Sequence, residues 1–169
     1  MSPTGTKKVV ARQPRRAPLA PANHHSVTPW LTVDGADAFL AFCKNVFRSK
    51  VTRRMKGPNG ATSNAAFLVG NSLLSVADES AGMGGASPKR LGGVSVTLYV
   101  YVEQVDRVFA RAVEAGATVR SQPADMFWGD RMGSFTDPFG HVWSVATHVE
   151  HVSPQEMNKR MRAFAKAKA

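Results

Sequence analysis

An internal repeat limits the possible folds of this chain more than any other feature of its sequence. Segments of the first half recur in the second half at a constant offset of 69 residues. The matching pairs are Val27-Thr28 with Val96-Thr97, Val33-Asp34 with Val102-Glu103, and Ser75-Val76-Ala77 with Ser144-Val145-Ala146. A repeat of this kind is typical of one supersecondary unit used twice, so the sequence predicts two copies of a unit of roughly 60 residues.

Each copy has the pattern of a strand, a helix and further strands. Residues 27–33 and 96–102 favour strands, and each of these segments ends next to an acidic residue. Apolar residues then recur at helical spacing, which predicts one helix per copy. They are Ala36, Phe39, Leu40, Cys43 and Phe47 in the first copy, and Val105, Val108, Phe109 and Ala112 in the second. Asp34 is predicted to cap the first helix, and Gly116 is predicted to follow the end of the second.

Two sequences typical of tight turns complete the pattern. Gly57-Pro58-Asn59-Gly60 and Asp137-Pro138-Phe139-Gly140 each predict a hairpin between two strands. The unit is therefore predicted to be βαβββ, and the predicted fold class is α+β with paired βαβββ modules.

The positive charge of the chain lies at its two ends. The net charge is +10 over 169 residues, but residues 27–153 contribute only +1. Residues 1–25 lack hydrophobic periodicity and are predicted to be a disordered basic tail. Residues 153–169 are predicted to form a C-terminal basic amphipathic helix, with Ser153 as its cap and Pro154 at its first position.

The predicted domain lies between these ends, at residues 26–152. Its two repeats are placed at residues 26–77 and 94–150. Residues 78–93 are rich in Gly, Ser and Pro, and they are predicted to be a mobile link between the repeats.

Composition argues against several classes of protein. The longest apolar stretches have about half a dozen residues, whereas a membrane span needs about 18. A secretory h-region is not evident at the N-terminus. The single cysteine, Cys43, cannot form an internal disulfide and fits a reducing compartment, so we expect a cytoplasmic protein with no membrane partner.

Three segments resemble a known family. Val27-Thr-Pro-Trp-Leu-Thr-Val-Asp-Gly-Ala36, Phe127-Trp-Gly-Asp-Arg131 and the stretch from Asp137 to His148 resemble the PhnB-like branch of the vicinal oxygen chelate superfamily. This superfamily includes glyoxalase I, bleomycin-resistance proteins and extradiol dioxygenases. The resemblance implies two curved sheets around a cleft, with helices on the outside, and a homodimer.

Strand alternation indicates which side chains face this cleft. Aromatic and hydroxyl side chains dominate the predicted lining, which favours a flat or amphipathic organic ligand; side chains that fill the cleft are the alternative. The predicted cleft residues are Thr28, Trp30, Thr32, Asn64, Ser75, Thr97, Tyr99, Tyr101, Trp128, Arg131, Ser144 and His148. Phe135 is a further candidate, because residues 131 and 135 lie on the same face of a strand. Asp130 and Arg131 are predicted instead to pair with each other or to brace the turn after Trp128.

The resemblance also implies positions for metal ligands. Metal-dependent relatives carry His, Gln or Glu at positions that correspond here to Thr28, Ser75, Thr97 and Ser144, and a His-x-Glu pair where this chain has Asn64 and Ala66. Neutral hydroxyls are weak ligands for zinc, nickel, manganese or iron. We therefore expect neither the usual metal nor another cofactor. A displaced metal site would draw on Asp78, Glu79, His141, His148 and His151.

Three functions remain open at this point. The first is a protein that binds a small organic ligand, as bleomycin-resistance relatives do. The second is a lyase or dioxygenase-type enzyme with a displaced metal. The third is a polyanion or nucleic-acid binding protein, suggested by the basic ends and by the run Lys44, Arg48, Lys50, Arg53, Arg54 and Lys56. Nucleic acid is the less favoured partner, because no aromatic stacking motif accompanies these cations.

Overall fold

A computed structural model describes residues 17–21, 24–58, 60–79 and 85–167. The predicted disordered tail falls mostly on residues 1–16, 22 and 23, which lie outside the described residues. Residues 80–84 of the predicted mobile link also lie outside them. Within the described part of the chain, no helix is long and apolar enough to cross a membrane.

The first module contains one helix and four strands. Their bounds are β1 Trp30–Val33, α1 Ala36–Phe47, β2 Lys50–Lys56, β3 Thr62–Val69 and β4 Ser72–Asp78. The sheet order is β1-β4-β3-β2, in which β1 runs parallel to β4 and the other neighbours are antiparallel. The first predicted hairpin turn joins β2 to β3.

The second module repeats this topology. After the short helix α2 Pro88–Leu91, it contains β5 Thr97–Tyr101, α3 Val105–Glu114, β6 Thr118–Asp125, β7 Asp130–Thr136 and β8 Val142–His148. The sheet order is β5-β8-β7-β6, with β5 parallel to β8. A last helix, α4, spans Pro154–Ala167, and the Ser153 hydroxyl caps it by accepting a hydrogen bond from the Glu156 amide. The predicted α+β class and paired βαβββ architecture are confirmed.

Helices α1 and α3 each cover one face of a sheet, and the two modules share one core. Phe39 of α1 lies with its ring centroid 5.4 Å from that of Phe139, and Phe47 lies 4.8 Å from Trp143. Arg111 of α3 donates to the carbonyl oxygen of Val46 at 2.6 and 3.0 Å. Because α1 packs against residues of the second module, the core fixes the modules relative to each other. We call the sheet face opposite the helices the cleft face.

The prediction that Asp34 caps α1 is wrong. The cap position is Gly35, which has a φ of 94°. The carboxylate of Asp78 accepts hydrogen bonds from the amides of Gly35 at 3.1 Å and Ala36 at 2.6 Å. Asp78 is available because β1 and β4 are parallel neighbours that place it opposite Val33. The helix end is thus satisfied from a strand 42 residues away, which local sequence does not reveal.

A buried histidine also connects the modules. His141, in the turn before β8, hydrogen bonds through Nε2 to the carbonyl oxygen of Thr32 at 3.2 Å. Burial lowers the pKa of His141 from its ordinary value of 6.5, although the nearby Asp137 carboxylate opposes this. The folded protein therefore holds His141 neutral at a pH where the unfolded chain already binds a proton.

This difference predicts that stability falls on the acid side of neutrality. As the pH drops below about 6.5, the unfolded state takes up a proton that folded His141 does not, so the free energy of unfolding decreases. Thermal unfolding at pH values from about 7.5 to about 5.5 measures this slope. His141→Gln should flatten it, whereas the exposed His151→Gln should leave it unchanged. Equal slopes for both variants would contradict the assignment.

Candidate functional site

A buried carboxylate lies on the cleft face of the second sheet, at the start of β7. Asp130 is only 2% exposed. The turn before it is formed by Gly129, which has a φ of 95° and whose carbonyl oxygen accepts the amides of Val149 and Glu150. This turn is therefore fixed to the chain that follows β8, and it determines where Asp130 enters the sheet.

Four side chains donate hydrogen bonds to Asp130. The Oδ2 atom accepts from the hydroxyls of Tyr99 and Tyr101, each at 3.0 Å, and from Nε1 of Trp128 at 3.1 Å. The Oδ1 atom lies 2.8 Å from Nδ1 of His148. We call these five residues the carboxylate cluster. Strand register explains it, because β8 lies between β5 and β7 and places His148 directly opposite Asp130.

The cluster keeps Asp130 ionised and its tyrosines neutral. Burial tends to raise the pKa of Asp130, but the hydrogen bonds from His148, Tyr101, Tyr99 and Trp128 outweigh it and hold that pKa below its ordinary value. Burial and the hydrogen bond to Asp130 raise the pKa of Tyr99 to about 12. The hydrogen bond to Asp130, followed by burial, raises the pKa of Tyr101. One negative charge is thus concentrated at Asp130, surrounded by neutral donors.

Part of the cluster is accessible from outside the protein. Tyr99 is 45% exposed and Tyr101 is 62% exposed, and their ring centroids are 5.3 Å apart. Both tyrosines line a groove of about 520 Å³ between β5 and the first module, together with Val27, Pro29 and Leu73 among others. The cleft face also carries hydroxyls, because Ser144 pairs with both Tyr99 and Ser134 across the sheet. Aromatic faces and hydroxyls are therefore available together beside a buried charge.

The predicted residues of the first module form a different surface. Trp30 is largely exposed and pairs with Ser75, which is buried. Asn64 is also buried; its Oδ1 accepts from Arg53 at 2.9 Å, whereas its Nδ2 has no partner. Thr32 is partly covered, because Gly85 packs directly against its side chain. The structure thus divides the predicted cleft residues between two sheets, and the carboxylate cluster unites only Tyr99, Tyr101, Trp128 and His148.

Three predictions at residues 130–135 are wrong. Arg131 does not pair with Asp130 and does not face the cleft. Its guanidinium bonds Asp106 of α3 at 2.7 and 2.8 Å and Asp125 at 3.1 Å, on the helix side of the sheet. Phe135 has the same parity and is fully buried in the core, 6.1 Å from Phe109 by ring centroids. The reason is that the even-numbered residues of β7 face the cleft, whereas the odd-numbered ones were predicted to do so. Asp130 therefore faces the cleft instead of Arg131.

The positions implied for metal ligands carry four hydroxyls, the amide of Asn64 and the methyl group of Ala66. Thr28, Ser75, Thr97 and Ser144 offer neutral oxygens, which do not fit the needs of a divalent transition metal. Across the described ranges, no group of three or more His, Cys, Asp or Glu side chains is placed to hold a metal ion.

The candidates for a displaced metal site do not converge. Asp78 is bonded to the start of α1 and to the amide of Thr62, and Glu79 accepts from the amide of Ser87 at 2.8 Å. His141 bonds Thr32, and His148 bonds Asp130. His151 is exposed near the C-terminal helix. Each of the first four therefore has a hydrogen-bonding role elsewhere.

The basic run of the first module is partly neutralised. Every residue of β2 is exposed, including Lys50 and Arg53. Asp37 of α1 pairs with both Arg54 and Lys56, which removes two of the six cations from the free surface.

Sequence reasoning missed the centre of the cluster. Four residues of the cluster were each predicted to face the cleft, namely Tyr99, Tyr101, Trp128 and His148. Asp130, by contrast, was predicted to pair with Arg131 or to brace the turn. The available signal was its place two residues after Trp128 and opposite His148 in a β7–β8 hairpin. The hairpin is centred on Phe139, with the Asp137 amide bonded to the His141 carbonyl oxygen, and counting nine residues outward on each strand places Asp130 opposite His148.

The chain belongs to the glyoxalase/bleomycin resistance protein/dioxygenase superfamily, whose family model matches residues 23–145. It is 35% identical over 164 residues to the uncharacterized protein Rv0887c of Mycobacterium tuberculosis, a match that covers 95% of this chain and 96% of that protein.

Solved structures with the same fold include PhnB-like and metal-bound proteins. The PhnB protein from Bacillus cereus matches with a TM-score of 0.58 and 17% identity, over 73% of this chain and 99% of its own. The fosfomycin resistance protein FosX from Listeria monocytogenes, complexed with Mn(II) and sulfate, matches with a TM-score of 0.57 and 16% identity, over 81% of this chain and 97% of its own. At these identities the likeness concerns the fold alone.

Proposed function

We propose that this protein binds a small organic ligand on the cleft face of its second module, without the metal typical of many relatives. The observation that carries the proposal is the carboxylate cluster. Two partly exposed tyrosines are held in fixed positions by one buried carboxylate. Rings fixed in this way offer a preformed surface for an aromatic or amphipathic molecule, because little rotamer entropy is lost on binding.

The donor chemistry supports the proposal against a metal enzyme. FosX, which has the same fold, was solved as a complex with Mn(II). In this chain, the positions at which the family resemblance implies metal ligands include Thr28, Ser75, Thr97 and Ser144, which offer only hydroxyls. The acidic residues that could replace the ligands, Asp78 and Glu79, are bonded to main-chain amides. A displaced site would have to break these bonds, so a metal-dependent lyase or dioxygenase is the less favoured function.

Polyanion binding has weaker support. The β2 cations form the best candidate surface, but Asp37 lies among them and pairs with two. Exposed charge alone is typical of a solvated edge strand, where it also prevents aggregation.

The proposed assembly is a homodimer in a reducing compartment such as the cytoplasm. Trp30, Tyr101 and Val96 are each more than half exposed, which supports partial burial against a second subunit. The one cysteine is fully buried in the core and has no disulfide partner.

Native mass spectrometry of the purified full chain tests the proposal. We expect a dimer that gains no zinc, nickel or manganese at stoichiometric concentration, and that carries or captures an organic mass. Asp130→Asn should no longer carry this organic compound, because the substitution removes the charge that orders the tyrosines and His148. Asp125→Asn is the matched control, since it removes an exposed carboxylate on the opposite side of the same sheet.

Two outcomes would contradict the proposal. One bound metal per chain would favour the enzyme with a displaced metal site. An organic mass retained equally by both variants would show that the ligand lies away from the carboxylate cluster.

A further inference from the structure

His148 uses only one of its two ring nitrogens within the protein. Nδ1 lies 2.8 Å from Asp130, and no other described residue bonds the ring. The His148 side chain is 55% exposed, whereas that of Asp130 is 3% exposed. His148 thus connects a buried carboxylate to the surface of the cleft face.

The carboxylate determines which nitrogen carries the hydrogen. An ionised Asp130 can only accept, so Nδ1–H of His148 donates to it. In the neutral imidazole, Nε2 then carries a lone pair that can accept a hydrogen bond or a proton from a ligand. A base oriented by a second group in this way is the arrangement that proteins use to accept protons.

We propose that Asp130 and His148 form a proton-accepting pair, and that the ligand of the cleft is a weakly acidic aromatic hydroxyl compound of the phenol class. This proposal rests on the proposed function and names the ligand class of the same site. The ligand O–H bond breaks, an N–H bond forms at Nε2, and the oxygen keeps the electron pair. The ligand is then held as a phenolate beside the imidazolium, and Nδ1–H remains on Asp130.

Charge around the pair favours a weak acid over a strong one. Among the described residues, no lysine or arginine bonds Asp130, and the nearby Arg131 lies on the other side of the sheet. A carboxylate or phosphate would arrive already charged and would be repelled by Asp130. A phenol arrives neutral and becomes an anion only as His148 becomes a cation, so the total charge of the site does not change.

The aromatic class follows from the tyrosines. Tyr99 and Tyr101 share Asp130 with His148 and expose parts of their rings on the same sheet face. A phenol ring bound against these rings would lie beside the carboxylate that also holds His148. An aliphatic alcohol lacks both the stacking surface and the acidity.

The experiment uses 4-nitrophenol, whose anion is coloured, and its methyl ether 4-nitroanisole, which has no proton to give. Wild-type full-length protein is titrated with each compound near neutral pH, and the phenolate absorption is followed. We expect 4-nitrophenol to bind with an increase in its phenolate fraction, and 4-nitroanisole to bind at least about tenfold more weakly, since a charge-assisted hydrogen bond is lost.

Two variants distinguish binding at the Asp130–His148 pair from nonspecific binding. His148→Gln can still donate to Asp130 but accepts no proton, so it should lose the phenolate signal and bind 4-nitrophenol about tenfold more weakly. His151→Gln, which changes an exposed histidine three residues away, should behave as wild type. Unchanged thermal unfolding of both variants shows that the fold is intact.

Several results would overturn the inference. An unchanged phenolate signal in His148→Gln would show that the histidine only supports Asp130. Equal binding of the two compounds would reject the proton transfer while leaving ligand binding by the cleft intact. Failure of both compounds to bind would reject the phenol class, and the organic mass found by native mass spectrometry would still decide the proposed function separately.

Discussion

Replacing Asp137 with alanine is expected to lower the free energy of unfolding by about 3 kcal/mol or more, because it leaves several buried donors without an acceptor. Asp137 is 4% exposed and lies in the turn between β7 and β8. Its Oδ1 accepts from the amides of Phe139 and His141, each at 2.9 Å, and its Oδ2 accepts from Nε1 of Trp143 at 2.8 Å. Asp137 and Trp143 are both buried, so an alanine at residue 137 leaves the Trp143 donor without its acceptor inside the protein.

Removing the Asp137 carboxylate affects both modules, because its partner Trp143 packs between them. Its ring is fully buried and packs 4.8 Å from that of Phe47, which belongs to α1 of the first module. The Phe139 ring contacts Phe39 of the same helix. A turn that no longer orients Phe139 and Trp143 therefore weakens the packing between the modules as well as the β7–β8 hairpin.

Urea-induced unfolding measures the effect, with Asp34→Ala as the matched control. Asp34 is exposed, and no hydrogen bond to its side chain is present among the described residues. The control should shift the free energy of unfolding by no more than about 0.5 kcal/mol. Asp137→Asn should lie between the two, because its amide keeps one oxygen acceptor. A loss in Asp137→Ala as small as in the control would refute the structural role.

Much of the fold could be predicted because its signals are local. Alternation placed Leu31 and Val33 on the helix face, and the Asp137–Gly140 turn predicted that β7 and β8 form a hairpin. The repeat then predicted the same βαβββ order of elements in both modules. Helix positions such as Phe39 and Val108 followed from spacing alone, and all of these residues are buried as predicted.

The site was predicted less well because its contacts depend on parity and on distant neighbours. An aromatic residue suits either face of a sheet, so Phe135 could not reveal which face of β7 meets the cleft. Only its packing against Phe109 decides this, and that contact joins a strand to a helix 26 residues earlier. When the two faces of β7 are exchanged in the prediction, Arg131 lies on the helix side and Asp130 lies on the cleft side, as observed.

The prediction that Asp34 caps α1 was wrong for a related reason. Asp34 stands at the right place in the sequence, but Asp78 reaches the same amides from the neighbouring strand with both oxygens already oriented. A side chain held by a sheet loses less entropy on capping than one in a connecting loop. Asp78 is therefore the stronger acceptor, but it lies far from α1 in the sequence, so local sequence does not reveal it.

Gly129→Ala is the second substitution with a large expected effect, because it acts on the backbone that positions the carboxylate cluster. A Cβ at residue 129 would lie 2.1 Å from the carbonyl oxygen of Glu150 and 3.0 Å from Cγ2 of Val152. The φ of 95° is also unfavourable for any residue with a side chain. The turn must move, and with it Trp128 and Asp130 on either side.

The expected loss is about 3 kcal/mol or more of unfolding free energy, together with loss of ligand binding by the cluster. Gly70→Ala is the matched control: its φ of 58° is also left-handed, but nothing lies within 4 Å of the added Cβ. It should cost only about 1–2 kcal/mol of backbone strain. Urea unfolding and native mass spectrometry of both variants measure the two effects. If Gly129→Ala lost no more stability than Gly70→Ala and kept its ligand, the contact with Glu150 would not position the site.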